Sequence, residues 1–137
     1  MAKERKFARK INSLDSIFDF IKSFINENSI KGSLIFTINF IIEELFTNMV
    51  KYSTESSEDI LIRLDIDNDS LSTILIDTDV NSYDITETEE VDTTLSLEDR
   101  KVGGLGVHLV KTMADDIKYE YNSNKRQSTI TVIKHLE

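Results

Sequence analysis

The residues of this chain best suited to chemistry are a carboxylate and an amide four positions apart. Glu44 and Asn48 occur in the segment EELFTNMVKYS (43–53), where a helix would place both on one side. A carboxylate can act as an acceptor or a base, and an amide oxygen is a ligand for a hard cation. The pair alone is a weak signal, because chance surface polarity produces the same spacing.

A run of glycines is the second feature. The stretch KVGGLGVHL (101–109) holds Gly103, Gly104 and Gly106, although the chain has only four glycines and no proline. Glycine lets backbone N–H groups approach an anion without a Cβ in the way, and the unpaired amides of a helix N-terminus favour negative charge. The stretch therefore predicts a phosphate-binding helix start. The alternative is a tight turn whose glycines serve packing.

Composition limits the classes of function. The net charge of −9 argues against a nucleic-acid role, because phosphate binding needs a basic surface. The chain has no cysteine, which excludes disulfides and thiolate metal sites, and His108 and His135 have no metal-ligand spacing. No segment is expected to reach transmembrane length, and the amphipathic segment after the basic N-terminus does not resemble a signal peptide. We therefore expect a cytoplasmic protein without direct contact with nucleic acid or membrane.

The elements that must position these residues are predicted in the order β-α-α-β-β-loop-α-β-β. Seven acids and no base in 84–99 indicate a solvated loop. Hairpins outnumber crossovers, so we expect an α+β fold in a single domain, 1–137. Its architecture would be a two-layer α/β sandwich with a mixed, mostly antiparallel sheet and helices on one face. The predicted elements are a strand over 4–11, a helix capped by Ser13, a helix from Ser33 to about Tyr52, the hairpin EDILIRLDID/LSTILIDTD, a helix over about 105–115 and a closing hairpin.

The second predicted helix has two different sides. At 100° per residue, one arc collects the apolar residues expected in the core: Leu34, Ile35, Ile38, Ile42, Leu45, Phe46 and Met49. Away from this arc lies a narrow polar line flanked by Phe40 and Ile41, and its members are Thr37, Glu44, Asn48 and Lys51. The helix therefore presents Glu44 and Asn48 away from its predicted core face.

Three segments in this order resemble a known set of motifs. EELFTNMVKYS (43–53), LIDTDVNSYDI (75–85) and RKVGGLGVHLVKTMADDIKYEY (100–121) resemble the N, G1 and G2 boxes of the GHKL, or Bergerat, ATPase fold of gyrase, histidine kinases and MutL. The third segment is most similar to the small bacterial anti-sigma-factor serine kinases of the RsbW/SpoIIAB type. The final segment of this chain, STITVIKHL, also resembles the last strand of those kinases. The resemblance spans nearly the whole chain.

The resemblance implies a role for each matching residue. Asn48 would bind Mg²⁺, Glu44 would be the general base toward a substrate serine, and Asp77 would accept a hydrogen bond from the exocyclic amine of adenine. The acidic segment, about 84–102, would be the ATP lid or, alternatively, a plain disordered loop. The remaining residues implied in nucleotide binding are Lys51, Arg100, Lys101, Gly103, Gly104, Leu105, Gly106 and Val107.

One segment departs from the family pattern. The G1 box usually reads Asp-x-Gly-x-x-Phe-Asp, whereas here Asp79 stands at the glycine position and one residue is inserted before Tyr83. A carboxylate at that place would crowd adenine or repel phosphate. We therefore expect this departure to affect nucleotide affinity.

The resemblance implies an ATP-dependent serine/threonine-protein kinase that acts as an anti-sigma factor. It would bind a sigma factor or a STAS-type anti-anti-sigma protein, phosphorylate the latter, and form a homodimer. The alternative is a catalytically weak or inactive module that sequesters its partner with or without nucleotide. A histidine-kinase ATP domain is disfavoured, because no helix with a phosphoacceptor histidine precedes residue 33.

Overall fold

Five strands and three α-helices make up the part of the chain that the structure, a computed structural model, describes. That part is residues 2–82 and 104–136, with the backbone alone for 104–107. The elements are β1 (Ala2–Phe7), α1 (Leu14–Glu27, after a 3₁₀ turn at Ile11–Ser13), α2 (Ser33–Tyr52), β2 (Ile60–Asp67), β3 (Ser70–Thr78), α3 (Gly104–Met113), β4 (Asp116–Asn122) and β5 (Gln127–His135).

The described strands form one sheet in the order β1-β2-β3-β5-β4, and each neighbouring pair is antiparallel. The β2–β3 hairpin turns through two residues, because Asp67 pairs with Ser70. Asn68 in this turn has φ 56°, a left-handed conformation that asparagine tolerates. The predicted α+β fold is therefore confirmed, and the two predicted hairpins are β2–β3 and β4–β5.

One face of the sheet and the helices share a single core. Side chains alternate between buried and half-buried along β2, β3 and β5, which is the period-two pattern of a sheet covered on one face. The helices cover that face with apolar side chains at helical spacing. Core residues from the helices include Ile17, Ile21, Phe24, Ile38, Ile42, Leu45, Phe46 and Val110, and those from the sheet include Ile60, Ile62, Leu64, Leu75, Ile130 and Val132.

Some predicted boundaries were wrong. The first strand ends at Phe7, where its pairing with Ile60 of β2 stops, so residues 8–11 are not strand. Ser13 precedes α1 as predicted but does not cap it, because the 3₁₀ turn has already given it helical dihedrals. Its hydroxyl instead donates to the carbonyl of Ala8 at 2.8 Å. The helix predicted over about 105–115 begins at Gly104 and ends at Met113.

The buried surface of α2 is wider than the predicted arc of apolar residues, because α2 contacts α1 and α3 as well as β3. Ile41, expected beside the polar line, is 2% exposed and lies in the core, whereas Leu34 and Ile35 are only partly buried. By length and composition α2 would also qualify as a membrane span, contrary to the sequence expectation. Its apolar composition is accounted for here by the side chains that it contributes to the core.

Candidate functional site

A small pocket lies between α2 and the strands β3, β4 and β5. Asn48 reaches it from α2, and Asp77 reaches it from the end of β3. The fold therefore brings together two of the residues that the sequence marked as ligands. The pocket is lined by Asn48, Met49, Ser53, Asp77, Asn81, Tyr119, Ser128 and Ile130.

Asn48 has the properties of a ligand residue. Its side chain is only 7% exposed, yet its Nδ2 has no hydrogen-bond partner among the described residues. A buried amide left unpaired is costly, so a polar ligand in the pocket would find a partner here, and a 180° rotation of the amide would present the oxygen. Within 2–82 and 104–136, no group of three or more acidic or histidine side chains is placed to hold a metal. Asn48 fits a Mg²⁺ ion that takes its other ligands from phosphate and water.

Glu44 lies one helical turn before Asn48 and is half-buried. Burial raises the pKa of its carboxyl, and the neighbouring charge of Glu43 raises it further, while Lys51 counters part of the shift. A raised pKa suits a carboxylate that must take up a proton near neutral pH. Among the described residues, neither Glu44 nor the exposed Lys51 lines the pocket itself.

Asp77 is the inward-facing residue near the end of β3 and is 1% exposed. Burial raises the pKa of its carboxyl, and the guanidinium of Arg9 counters part of that shift. Arg9 Nη2 donates to Asp77 Oδ1, and the two side chains form an ion pair that is 8% and 2% exposed. The predicted adenine acceptor is therefore already engaged by a cation of the same chain.

The backbone of α3 begins at Gly104, within the glycine run. Gly104, Leu105, Gly106 and Val107 form its first turn, where amides without intrahelical partners favour an anion. α3 contacts α2, which carries Glu44 and Asn48. The helix start was thus predicted within one residue. Arg100, Lys101, Gly103 and the predicted lid at about 84–102 lie outside the described residues.

Asp79 adopts the backbone conformation of a glycine. Its φ is 61°, in the left-handed region that glycine enters freely and other residues rarely do. Its carboxylate accepts from Arg126 Nη1 at 2.8 Å, and Arg126 Nη2 donates to Asn81 Oδ1 at 3.1 Å. Asp79 therefore has a backbone conformation that glycine enters freely, and its carboxylate is paired with the turn before β5.

Further contacts fix the same loop. The amide of Asn81 donates to Glu55 Oε2 at 2.7 Å, and the hydroxyl of Tyr121 donates to the carbonyl of Val80 at 2.8 Å. Val80 is fully buried. The loop after β3 is therefore held by the segment that follows α2 and by β4.

We expect Asp79→Gly to tighten ATP binding. The change removes a negative charge beside a polyanion, and glycine occupies φ 61° without strain, so the loop keeps its shape. Asp79→Asn is the matched control, because asparagine also tolerates this φ and lacks only the charge. Calorimetric titration with Mg·ATP measures the effect. Equal or weaker affinity in both variants would show that the carboxylate does not oppose the nucleotide.

Arg9, Arg126 and Glu55 contact Asp77 or the loop that follows it, and the sequence did not reveal them. Arg9 belongs to the basic N-terminal segment, in which no motif marks a site residue. No local spacing marks it, because its role depends on the β1–β2 register, which places residues 8 and 9 beyond the Phe7–Ile60 pair. The sequence predicts a turn around Arg126, but only the pairing of Thr78 with Gln127 places this turn beside the end of β3.

The sequence matches a family of domains. The sequence profile of the histidine kinase-like ATPase domain matches residues 7–134. The chain belongs to this family. The predicted GHKL resemblance is thereby confirmed, and the family implies an ATP-binding domain.

Two solved structures share the fold of this histidine kinase-like ATPase domain. One, described as the RsbU and RsbW domains of Rv1364c from Mycobacterium tuberculosis, superimposes with a TM-score of 0.69 at 15% identity, covering 99% of this chain and 32% of that one. The other, the Acinetobacter baumannii histidine kinase AdeS, gives 0.51 at 11% identity, covering 98% of this chain and 68% of that one. The chain thus spans about a third of the first structure's length. No curated protein matches the sequence significantly.

Proposed function

We propose that this domain is an ATP-dependent serine/threonine-protein kinase that acts as an anti-sigma factor by partner switching. Its substrate would be a serine on a STAS-type anti-anti-sigma protein, and its other partner a sigma factor, so its place would be the cytoplasm. A homodimer is part of the proposal. The likeness to a structure described as containing an RsbW domain supports this reading.

One observation carries the proposal. A single helix, α2, holds a half-buried carboxylate and, one turn later, a buried amide that faces the pocket: Glu44 and Asn48. A base and a metal ligand at this spacing suit transfer of a phosphoryl group to a hydroxyl. The base must act on the attacking hydroxyl while the metal acts on the phosphate beside it. α3 contacts the same helix, and the first turn of α3 adds backbone amides suited to phosphate.

The chemistry follows from these positions. Bound Mg²⁺ would supply positive charge to the phosphates, and Asn48 would hold it. The serine oxygen forms a bond to the γ-phosphorus as the bond to the ADP oxygen breaks, and the hydroxyl proton passes to the Glu44 carboxylate. The α3 amides balance negative charge during transfer, while Asp77 would orient the base of the nucleotide.

A second candidate function is favoured by the Arg9–Asp77 ion pair. With its adenine acceptor engaged, the domain could sequester a partner without using nucleotide. The two functions differ in one assay. The purified chain is incubated with a cognate STAS-type protein and ATP labelled at the γ-phosphate, with and without Mg²⁺. Label on a serine of the partner supports the kinase, whereas tight partner binding without transfer supports sequestration.

We expect the rate of phosphoryl transfer to fall toward acid pH. The Glu44 carboxyl must be deprotonated to accept a proton, and burial raises its pKa, so the acid limb should lie above the range of an ordinary glutamate. The rate should rise as pH increases through the Glu44 pKa and then level. Single-turnover rates measured across pH check this. A limb that persists unchanged in Glu44→Gln would belong to another group.

A further inference from the structure

The Asp77 carboxylate, the predicted acceptor for adenine, contacts a guanidinium that is itself enclosed by a cage of backbone carbonyls. Arg9 Nη2 donates to Asp77 Oδ1, while Nη1 donates to the carbonyls of Met49 at 3.3 Å and Ser53 at 3.4 Å. Nε donates to the carbonyl of Glu58 at 3.1 Å. All three guanidinium nitrogens are thus used, and they join β3, the end of α2 and the segment before β2.

This cage is part of the pocket wall. Three of the residues that Arg9 contacts, Met49, Ser53 and Asp77, also line the pocket. A guanidinium and the exocyclic amine of adenine are alike in presenting N–H donors from a flat group to a carboxylate. Because the Asp77 side chain is only 2% exposed, there is little room for both donors at once.

We propose that Arg9 determines nucleotide affinity at this site by occupying the place on Asp77 that the adenine amine would take. Nucleotide then binds fully only when the Arg9 side chain leaves. The inference rests on the proposed function in one respect, namely that the pocket accepts an adenine nucleotide. It adds a residue that lies outside the three matching motifs, in the segment after β1.

Release of Arg9 is geometrically open. Arg9 follows β1 and precedes the 3₁₀ turn, and both of its chain neighbours, Ala8 and Lys10, are exposed. Its long side chain can therefore turn toward solvent without moving a strand. Departure breaks a buried ion pair and the carbonyl contacts, so the open form is a minor population. The apparent affinity for ATP falls in proportion to the population of the open form, which predicts a dissociation constant raised by roughly 10-fold or more.

The test compares Mg·ATP and Mg·ITP binding by calorimetry in the full chain, because inosine lacks the exocyclic amine. In the parent, the gain from the contact between the amine and Asp77 is offset by the cost of displacing Arg9, so ATP and ITP should bind about equally. In Arg9→Ala, ATP should bind at least about 10-fold more tightly than in the parent. This variant should also bind ATP more tightly than ITP. Lys10→Ala, which removes a neighbouring exposed charge, should behave as the parent.

The outcomes separate the inference from the proposed function. If parent and Arg9→Ala bind ATP equally, the inference fails while the nucleotide site stands. If neither binds any nucleotide although both are folded, the nucleotide site itself is refuted, and the inference with it. Should Arg9→Ala not fold, Arg9→Gln serves: it is neutral and can offer Asp77 only a weaker hydrogen bond, so tighter ATP binding is again expected and unchanged binding overturns the inference.

Discussion

In the Glu44→Gln variant, we expect nucleotide to bind nearly as in the parent and phosphate to be transferred about 10²–10⁴-fold more slowly. Glutamine keeps the size and shape of the side chain and removes its proton acceptor. Glu44 is half-buried on α2, one turn from Asn48, so the proposed base and the proposed metal ligand lie on one side of the same helix. The measurement is a single-turnover rate of transfer to the cognate partner at saturating Mg·ATP.

The neighbouring residue provides a matched control. Glu43 is exposed and points away from the Glu44–Asn48 side, so Glu43→Gln changes the net charge by the same amount without removing the base. Partner binding should survive in both variants, since sequestration needs no proton transfer. Equal transfer rates in Glu43→Gln and Glu44→Gln would show that Glu44 is not the base. No transfer in the parent, with tight partner binding, would leave the sequestration function.

The second large effect is expected at Asn48, the proposed metal ligand. Asn48→Ala should weaken Mg·ATP binding by at least about 10- to 100-fold, because Mg²⁺ takes few protein ligands and Asn48 is the one predicted here. Its Nδ2 has no hydrogen-bond partner within the described part of the chain, so removing that atom breaks no hydrogen bond there and should leave the fold intact. Calorimetry with and without Mg²⁺ measures the loss, and circular dichroism checks the fold.

Two companion variants make this result specific. Thr47→Ala alters the preceding helix position and should bind Mg·ATP as the parent does. Asn48→Asp retains an oxygen ligand and should keep binding dependent on Mg²⁺. A folded Asn48→Ala variant with unchanged Mg·ATP affinity would remove the metal assignment, whatever the behaviour of Glu44.

Much of the fold was predictable because its signals are local. The apolar spacing of α2 predicted its bounds, Ser33 to Tyr52, and the alternation along β2 and β3 predicted their hairpin. The meeting of Asn48 with Asp77 is a different matter. They lie on separate elements, and it was the family resemblance, rather than any spacing, that placed both in one site.

Other features depend on contacts between distant segments and left no mark in the sequence. Ile41 was assigned to the edge of the polar line because its neighbours in space, α1 and α3, are not visible in a single helical wheel. Arg9 reaches Asp77 across 68 positions of the chain. The left-handed conformation of Asp79 was likewise hidden, although the family's glycine at that position indicated a special backbone.

The buried carboxylate of Asp77 has a consequence for how stability responds to ligand. Arg9 compensates the charge in the free protein, so a nucleotide that takes its place exchanges one partner for another and adds no new one. ATP should therefore raise the thermal stability by less than the contacts of adenine alone would give. The fold gains only the difference in free energy between adenine and Arg9 as the partner of Asp77. Because a ligand stabilises a fold according to its concentration relative to its dissociation constant, thermal shift and affinity should report the same penalty. At one ATP concentration, the rise in melting temperature should therefore be smaller in the parent than in Arg9→Ala.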